Sequence, residues 1–177
     1  QVRYRQNQIL HGFQVHVGHN KPKSRGHVYI IKDDIRESPG ILFNYLQHNS
    51  DVMGFRRSVK LTRNIMQQEA LNEYRGNEIQ PGININADDE IDAFVRSSVE
   101  SAYHPSCTCK MGNDKFSVVD SNTAVIGIEA LHVVDASIFP TITNGNINAP
   151  TIMIAERAAD LILKKIPLKP IDISIQS

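Results

Sequence analysis

The residues able to do chemistry gather in two short stretches. They are Tyr103-His104-Pro105-Ser106-Cys107-Thr108-Cys109-Lys110-Met111-Gly112 and Asn144-Gly145-Asn146-Ile147-Asn148-Ala149-Pro150-Thr151. The first sets one imidazole among Pro, Gly and small side chains. The second has turn-forming Asn and Gly, then a Pro-Thr start to a helix. Such segments fill cores poorly and present polar groups at fixed positions, so the two are read as walls of one active site. A neutral imidazole near physiological pH suits a general base that takes a hydroxyl proton, and His104 is the candidate. His104-x-x-Cys107-x-Cys109 also has the residue types of a transition-metal site, which makes a non-catalytic, metal-bound module a second reading. A closed zinc site needs four ligands, and no second Cys pair is present. Small packing residues near a bound group are the plainer account of both thiols. GxGxxG, P-loop and GxSxG patterns do not occur. The chain therefore carries no dinucleotide fingerprint, phosphate cradle or nucleophilic serine of those kinds.

The elements that position these residues read as an α+β fold, an antiparallel sheet flanked by helices. Phe13, Val15 and Val17 alternate with Gln14 and His16 as in a half-buried strand, and His27 to Lys32 reads as a second. The connector between them is too short for a helical crossover, so the two are expected to pair antiparallel. Its Lys21, Lys23 and Arg25 read as a solvated loop rather than a phosphate site. Residues 41–46 form a short apolar element. Ser50 then caps a helix carrying Val52, Phe55, Val59 and Met66 inward and Arg56, Arg57, Lys60 and Arg63 mostly outward, ending near Gln68. Asp88, Asp89 and Glu90 open another helix, where the dipole favours acid. Its stripe of Ile91, Phe94, Val95, Val99 and Ala102 runs straight into Tyr103, placing His104 at the helix exit, before Pro105. Short strands are expected at 117–120 and 124–127. A strand at 131–136 is read as buried on both faces. Pro150 begins the last helix, with Ile152, Met153, Ala155, Ala159 and Ile162 inward and Lys164 and Lys165 closing its C-terminal turn.

Composition sets outer bounds. The chain has 177 residues, 41% hydrophobic and 21% charged, with 19 basic and 19 acidic side chains. That balance supplies no field favouring nucleic acid. No apolar run approaches the roughly 20 residues that span a bilayer, and no signal-peptide pattern opens the chain. Two Cys two positions apart fit a reducing compartment better than a disulfide framework. A first residue that is not Met leads us to expect a fragment or a processed product.

Three ordered motifs carry a family resemblance. The His104 run, Val133-Val134-Asp135-Ala136-Ser137-Ile138-Phe139-Pro140 and Asn146-Ile147-Asn148-Ala149-Pro150-Thr151-Ile152-Met153-Ile154-Ala155-Glu156 resemble the C-terminal part of the glucose–methanol–choline (GMC) flavoprotein oxidoreductases. The likeness is greatest to the choline-oxidising members. His11-Gly12-Phe13-Gln14, Ser24-Arg25-Gly26-His27-Val28, Phe43-Asn44-Tyr45 and Tyr74-Arg75-Gly76 agree with it, so that it runs from about His11 to Lys164.

The resemblance implies an FAD-dependent oxidation of a primary alcohol, either choline to betaine aldehyde, as in glycine betaine biosynthesis, or another alcohol of that class. His104 would accept the hydroxyl proton while the carbinol hydride moves to flavin N5. Asn148, at a separation of 44 (148 minus 104), would hydrogen-bond the same oxygen. Asp135 and Ala136 match the segment over the ribityl and pyrophosphate. Asn148, Ala149, Pro150 and Thr151 match the turn beside the isoalloxazine. Where this chain has Cys107, many relatives have Gly. Residues 1–112 would belong to a substrate-binding domain and 113–165 would return into the FAD domain as a strand and a helix, with 166–177 a tail. The Rossmann FAD-binding half is not in this chain, and the residues that recognise a quaternary ammonium should lie mostly with it. The chain alone is accordingly expected to be inactive, without bound flavin, and to expose an apolar face meant for the missing half. A bacterial or mitochondrial location, cytoplasmic or at the inner membrane, is implied. Peripheral membrane association and homo-oligomerisation are left open.

Overall fold

The computed structural model describes residues 11–166, 168, 169 and 171. Their elements in chain order are β1 (His27–Tyr29), β2 (Gly40–Leu42), α1 (Asn49–Met66), α2 (Asp88–Ser98) and α3 (Asn148–Ile162), with single 3-10 turns at Glu69–Leu71 and Ala136–Ile138. β1 and β2 pair as a small antiparallel sheet. The chain divides into two compact units, residues 1–26 with 41–102 and residues 27–40 with 103–177. Much of the 166–177 tail, and the first ten residues, lie outside the described residues. No helix among those described is long and apolar enough to cross a membrane.

The first unit is built on α1 against α2. Leu46, Val52, Ile91 and Val95 form its buried core, with Phe55, Val59, Ile85, Phe94 and Val99 packed on it. Each such side chain contributes on the order of 1.5–3 kcal/mol by leaving water. The helical spacing therefore identified the correct faces. The cap of α1 lies before the expected Ser50: the ring nitrogen Nδ1 of His48 accepts the Ser50 N–H at 3.2 Å. The basic face of α1 is not simply solvated. Arg56 bridges Asp88 and Asp92, one turn apart on α2. Arg63 reaches Glu78 at 2.8 Å and the carbonyls of Gly82 and Ile85 at 3.0 and 2.7 Å.

Asp51, in the first turn of α1, is 1% exposed. It accepts the amides of Lys23 and Ser24, at 2.9 and 2.7 Å, and the Ser24 hydroxyl at 2.6 Å. This ties the basic connector to the helix start. Burial works against the charge, but the hydrogen bonds from Lys23 and Ser24, with His19 nearby, outweigh it and hold the carboxyl below its ordinary 3.8. A depressed folded value means the stabilisation is present above pH 3.8 and lost as pH falls below it toward the folded value. Asp51→Asn turns an amide donor toward these donors and should cost about 1.5–3 kcal/mol at pH 7. Denaturant titrations from pH 7 to 3 check this, because the gap between variant and parent should narrow at the acid end.

The strands are where sequence pattern and structure part. Residues 13–17 form no strand, and Phe13, Val15 and Val17 are exposed. Alternation becomes a strand only with a neighbour to pair its amides, and β1 pairs with β2 instead. The expected strands at 117–120, 124–127 and 131–136 are reduced to isolated bridges: Met111 to Val119, Val119 to Val125 and Ala124 to His132. Leu131 is exposed and the rest of that run is not fully buried, so burial on both faces does not hold. The second unit is chiefly ordered loops around buried Val119, Ile138, Phe139 and Ala158. Its helix α3 turns Ile154, Ala158 and Leu161 inward, while Ile152, Met153, Ala155, Ala159 and Ile162 are exposed. The expected inward stripe is therefore on the opposite side. α3 is apolar most of the way round, so helical spacing alone does not choose its buried face.

Candidate active site

The His104 stretch is held by the turn that follows Asp135. The amides of Cys107, Cys109 and Met111 donate to the carbonyls of Ala136, Ser137 and Ile138 at 3.2, 2.9 and 2.8 Å. Asp135 braces that turn by accepting the Ser137 amide at 2.7 Å. Two of the three sequence motifs are thus laid side by side, with Asp135 and Ala136 against the loop that carries His104. His104 does not leave a helix. α2 ends at Ser98, and Val99 is already extended at φ −62°, ψ 134°. The Ser-Ser-Val end of that helix is poor in helix formers, so the apolar stripe outlasts the helix. Within the loop, Tyr103 and Cys107 have φ of 59° and 71°. That left-handed region favours glycine, so the Gly that the resemblance leads one to expect at the Cys107 position would fit its backbone.

The third motif reaches His104 through a residue the sequence reading passed over. The ring nitrogen Nε2 of His104 lies 2.8 Å from Oδ1 of Asn146, and Nδ1 lies 3.1 Å from the carbonyl of Tyr103. Both contacts are to oxygens that accept, so a neutral ring with its proton on Nδ1 and its lone pair on Nε2 requires the Asn146 amide to be turned over. Gly145, at φ 69°, makes the turn that delivers Asn146. The Asn-Ile-Asn alternation offered a signal, since residues two apart in extended chain share a side. Asn148 is exposed and is the first residue of α3.

The start of α3 suits an electron-rich group. No side chain caps it. Among the described residues the amides of Asn148 and Ala149 make no hydrogen bond, Pro150 has none to offer, and the amide and hydroxyl of Thr151 both turn back to the Ile147 carbonyl. Among the described residues the Thr143 hydroxyl is buried without a partner. Two free amides at the positive end of a helix, with an orphaned hydroxyl a few residues before, fit the oxygens of the flavin implied by the resemblance. Among the described residues no group of three or more His, Cys, Asp or Glu is placed to hold a metal ion. The geometry gives no support to His104, Cys107 and Cys109 as ligands.

Comparison with known proteins places these features in context. Residues 22–155 match the family described as GMC oxidoreductase. The chain is 56% identical over 162 residues to an oxygen-dependent choline dehydrogenase of Photobacterium profundum, covering 90% of this chain and 28% of that protein. Among solved structures it resembles pyridoxine 4-oxidase from Mesorbium loti, with TM-score 0.78 and 36% identity over 84% of this chain and 29% of the other. It also resembles an FAD-dependent oxidoreductase from Chaetomium thermophilum, with TM-score 0.78 and 31% identity over 82% of this chain and 26% of that one. The chain thus spans less than a third of the length of each of these proteins.

Proposed function

The chain belongs to the GMC oxidoreductase family, and we propose that it is the C-terminal part of an FAD-dependent dehydrogenase that oxidises choline to betaine aldehyde. The observation that supports the catalytic assignment is the placing of the His104 ring. Its Nδ1 lies 3.1 Å from the Tyr103 carbonyl, and with the proton there Nε2 is the acceptor for a hydroxyl proton. His104 is half-buried on a loop pinned by three backbone hydrogen bonds, so the base is held in place before substrate arrives.

In this reading the alcohol oxygen sits at Nε2, His104 takes its proton, and Asn148 donates its side-chain amide to the same oxygen and orients it. The amides of Asn148 and Ala149, with Asp135, Ala136, Pro150 and Thr151 around them, make the wall against the flavin. FAD, when bound, supplies the two-electron chemistry by taking the carbinol hydrogen as hydride. Residues 1–112 serve the substrate side and 113–165 the FAD side of the complete protein. The alcohol and the FAD-binding half of the same polypeptide are its partners.

Identity to a protein named for choline favours choline as the substrate. A second reading, a different primary alcohol, is favoured by the likeness to an oxidase named for pyridoxine. Steady-state kinetics of the full-length protein separate the two. Choline should show kcat/KM at least ~10²-fold above an aliphatic alcohol of similar size, since a site built for a cation loses several contacts to a neutral analogue. Comparable values for the two would remove choline from the assignment.

A further inference from the structure

Two acceptors face the two nitrogens of His104: the Tyr103 carbonyl at Nδ1 and the Asn146 oxygen at Nε2. A neutral imidazole has one N–H and cannot donate to both. The pair is satisfied in either of two ways. The ring is an imidazolium and Nε2–H donates to Oδ1, or the ring is neutral and the Asn146 amide is turned over so that its NH₂ donates to the Nε2 lone pair. The two amide orientations have the same outline, so one side chain serves both charge states. Asn146 is exposed and follows a glycine turn, which leaves its amide room to rotate. Nε2 is also the atom the alcohol hydroxyl needs, and it has only one lone pair.

We propose that Asn146 is the positioning residue of His104: it holds Nε2 until the substrate hydroxyl replaces it, and its amide turns over with the charge on the ring. Before substrate arrives and after product leaves, the ring is met either neutral or cationic. An amide stabilises both states, whereas a carboxylate stabilises only the cation and an aliphatic side chain neither. The other titratable groups on the packed segments are Tyr103, Cys107, Cys109 and Lys110 on the loop itself and Asp135 beside it. Lys110 is paired with Asp114 at 2.6 Å and Asp135 is engaged by the Ser137 amide. Asn146 is the side chain on the second wall hydrogen-bonded to the ring.

The proposal rests on His104 being the base only where it concerns turnover, and the test separates the two. In full-length enzyme with isotopically labelled histidine, the His104 imidazole is titrated by NMR in the parent, in Asn146→Asp and in Asn146→Leu. Asn146→Asp should raise the midpoint by about one unit or more, because the imidazolium gains a charged acceptor and the neutral ring loses its donor, whereas Asn146→Leu removes the partner of both states and should move it much less. An unchanged midpoint in Asn146→Asp, or a shift as large in Asn146→Leu, would overturn the proposal. The acid limb of kcat/KM is then measured on the same proteins. If it follows the NMR midpoints, His104 is both held by Asn146 and acting as the base. If the NMR midpoints move and the limb does not, Asn146 keeps its role and the assignment of His104 as base fails. A side chain needed only for folding would lower activity without moving either profile.

Discussion

His104→Ala in the full-length enzyme should lower turnover by about 10²–10⁴-fold, the range expected for loss of a positioned general base. On the transition-state scale that is roughly 3–5 kcal/mol. An alcohol hydroxyl does not ionise near neutral pH, so hydride departure from the carbinol carbon must be accompanied by removal or strong polarisation of the hydroxyl proton. On the proposed assignment the Nε2 of His104 is the basic atom for this, with Nδ1 facing the Tyr103 carbonyl at 3.1 Å. The neighbouring thiols are not arranged to substitute: Cys107 is tied into the loop by its amide, and its Sγ lies 3.3 Å from the Ser106 hydroxyl.

Two features distinguish a lost base from a damaged pocket. The pH dependence of kcat/KM should lose its acid limb, because the group that titrates there has gone. The fall should also appear mainly in kcat, since the proton is transferred in the transition state and only weakly shared before it. Full turnover by the variant would refute the role, whatever happened to binding. A proportionate rise in KM alone would recast His104 as a binding residue.

Which parts of this molecule the chain announces follows from how local their causes are. α1 and α2 were legible because a 3.6-residue stripe and acidic first turns act within one helix, and their facing residues Val52, Phe55, Ile91 and Val95 meet as the spacing requires. His104 stands out in the sequence as a candidate because its neighbours are too small or too bent to be core. The strands were not legible, since residues 13–17 alternate correctly and still have no partner. Pairing is decided elsewhere in the chain. The inward face of α3 differs from the expected one because Ile and Met occur all round it, and among its larger aliphatic side chains Ile154 and Leu161, with Ala158, are turned inward. Asn146 escaped notice because its meaning lies in a hydrogen bond to a residue 42 positions earlier.

Gly26→Ala should destabilise the fold by about 3 kcal/mol or more, the largest stability effect expected of so small a change. The cause is steric, since Gly26 is not among the residues with left-handed φ. A Cβ built on Gly26 would lie 2.0 Å from the Leu42 carbonyl oxygen, 2.8 Å from that of Phe43 and 2.9 Å from the Phe43 carbonyl carbon. All three obstacles are backbone, so no side chain can rotate away, and one strand of chain must retreat by about an ångström or more to restore van der Waals contact. Retreat is itself costly, because Lys23 and Ser24, just before Gly26, donate their amides to buried Asp51. Moving residue 26 pulls on those bonds and threatens to leave a carboxylate buried without its donors. This gives the Ser24-Arg25-Gly26 run a physical meaning: the serine fastens the start of α1, and the glycine lets the chain pass under the carbonyls of residues 42 and 43. Thermal unfolding of the full-length protein checks the claim, with a fall in Tm on the order of 2–3 °C or more expected for a chain of that length. Gly18→Ala is the control, because a Cβ there meets nothing within 4 Å, and it should stay within about 1 kcal/mol of the parent. Equal melting of the two variants would show that the close approach at Gly26 relaxes at no cost, and the steric account would have to be abandoned.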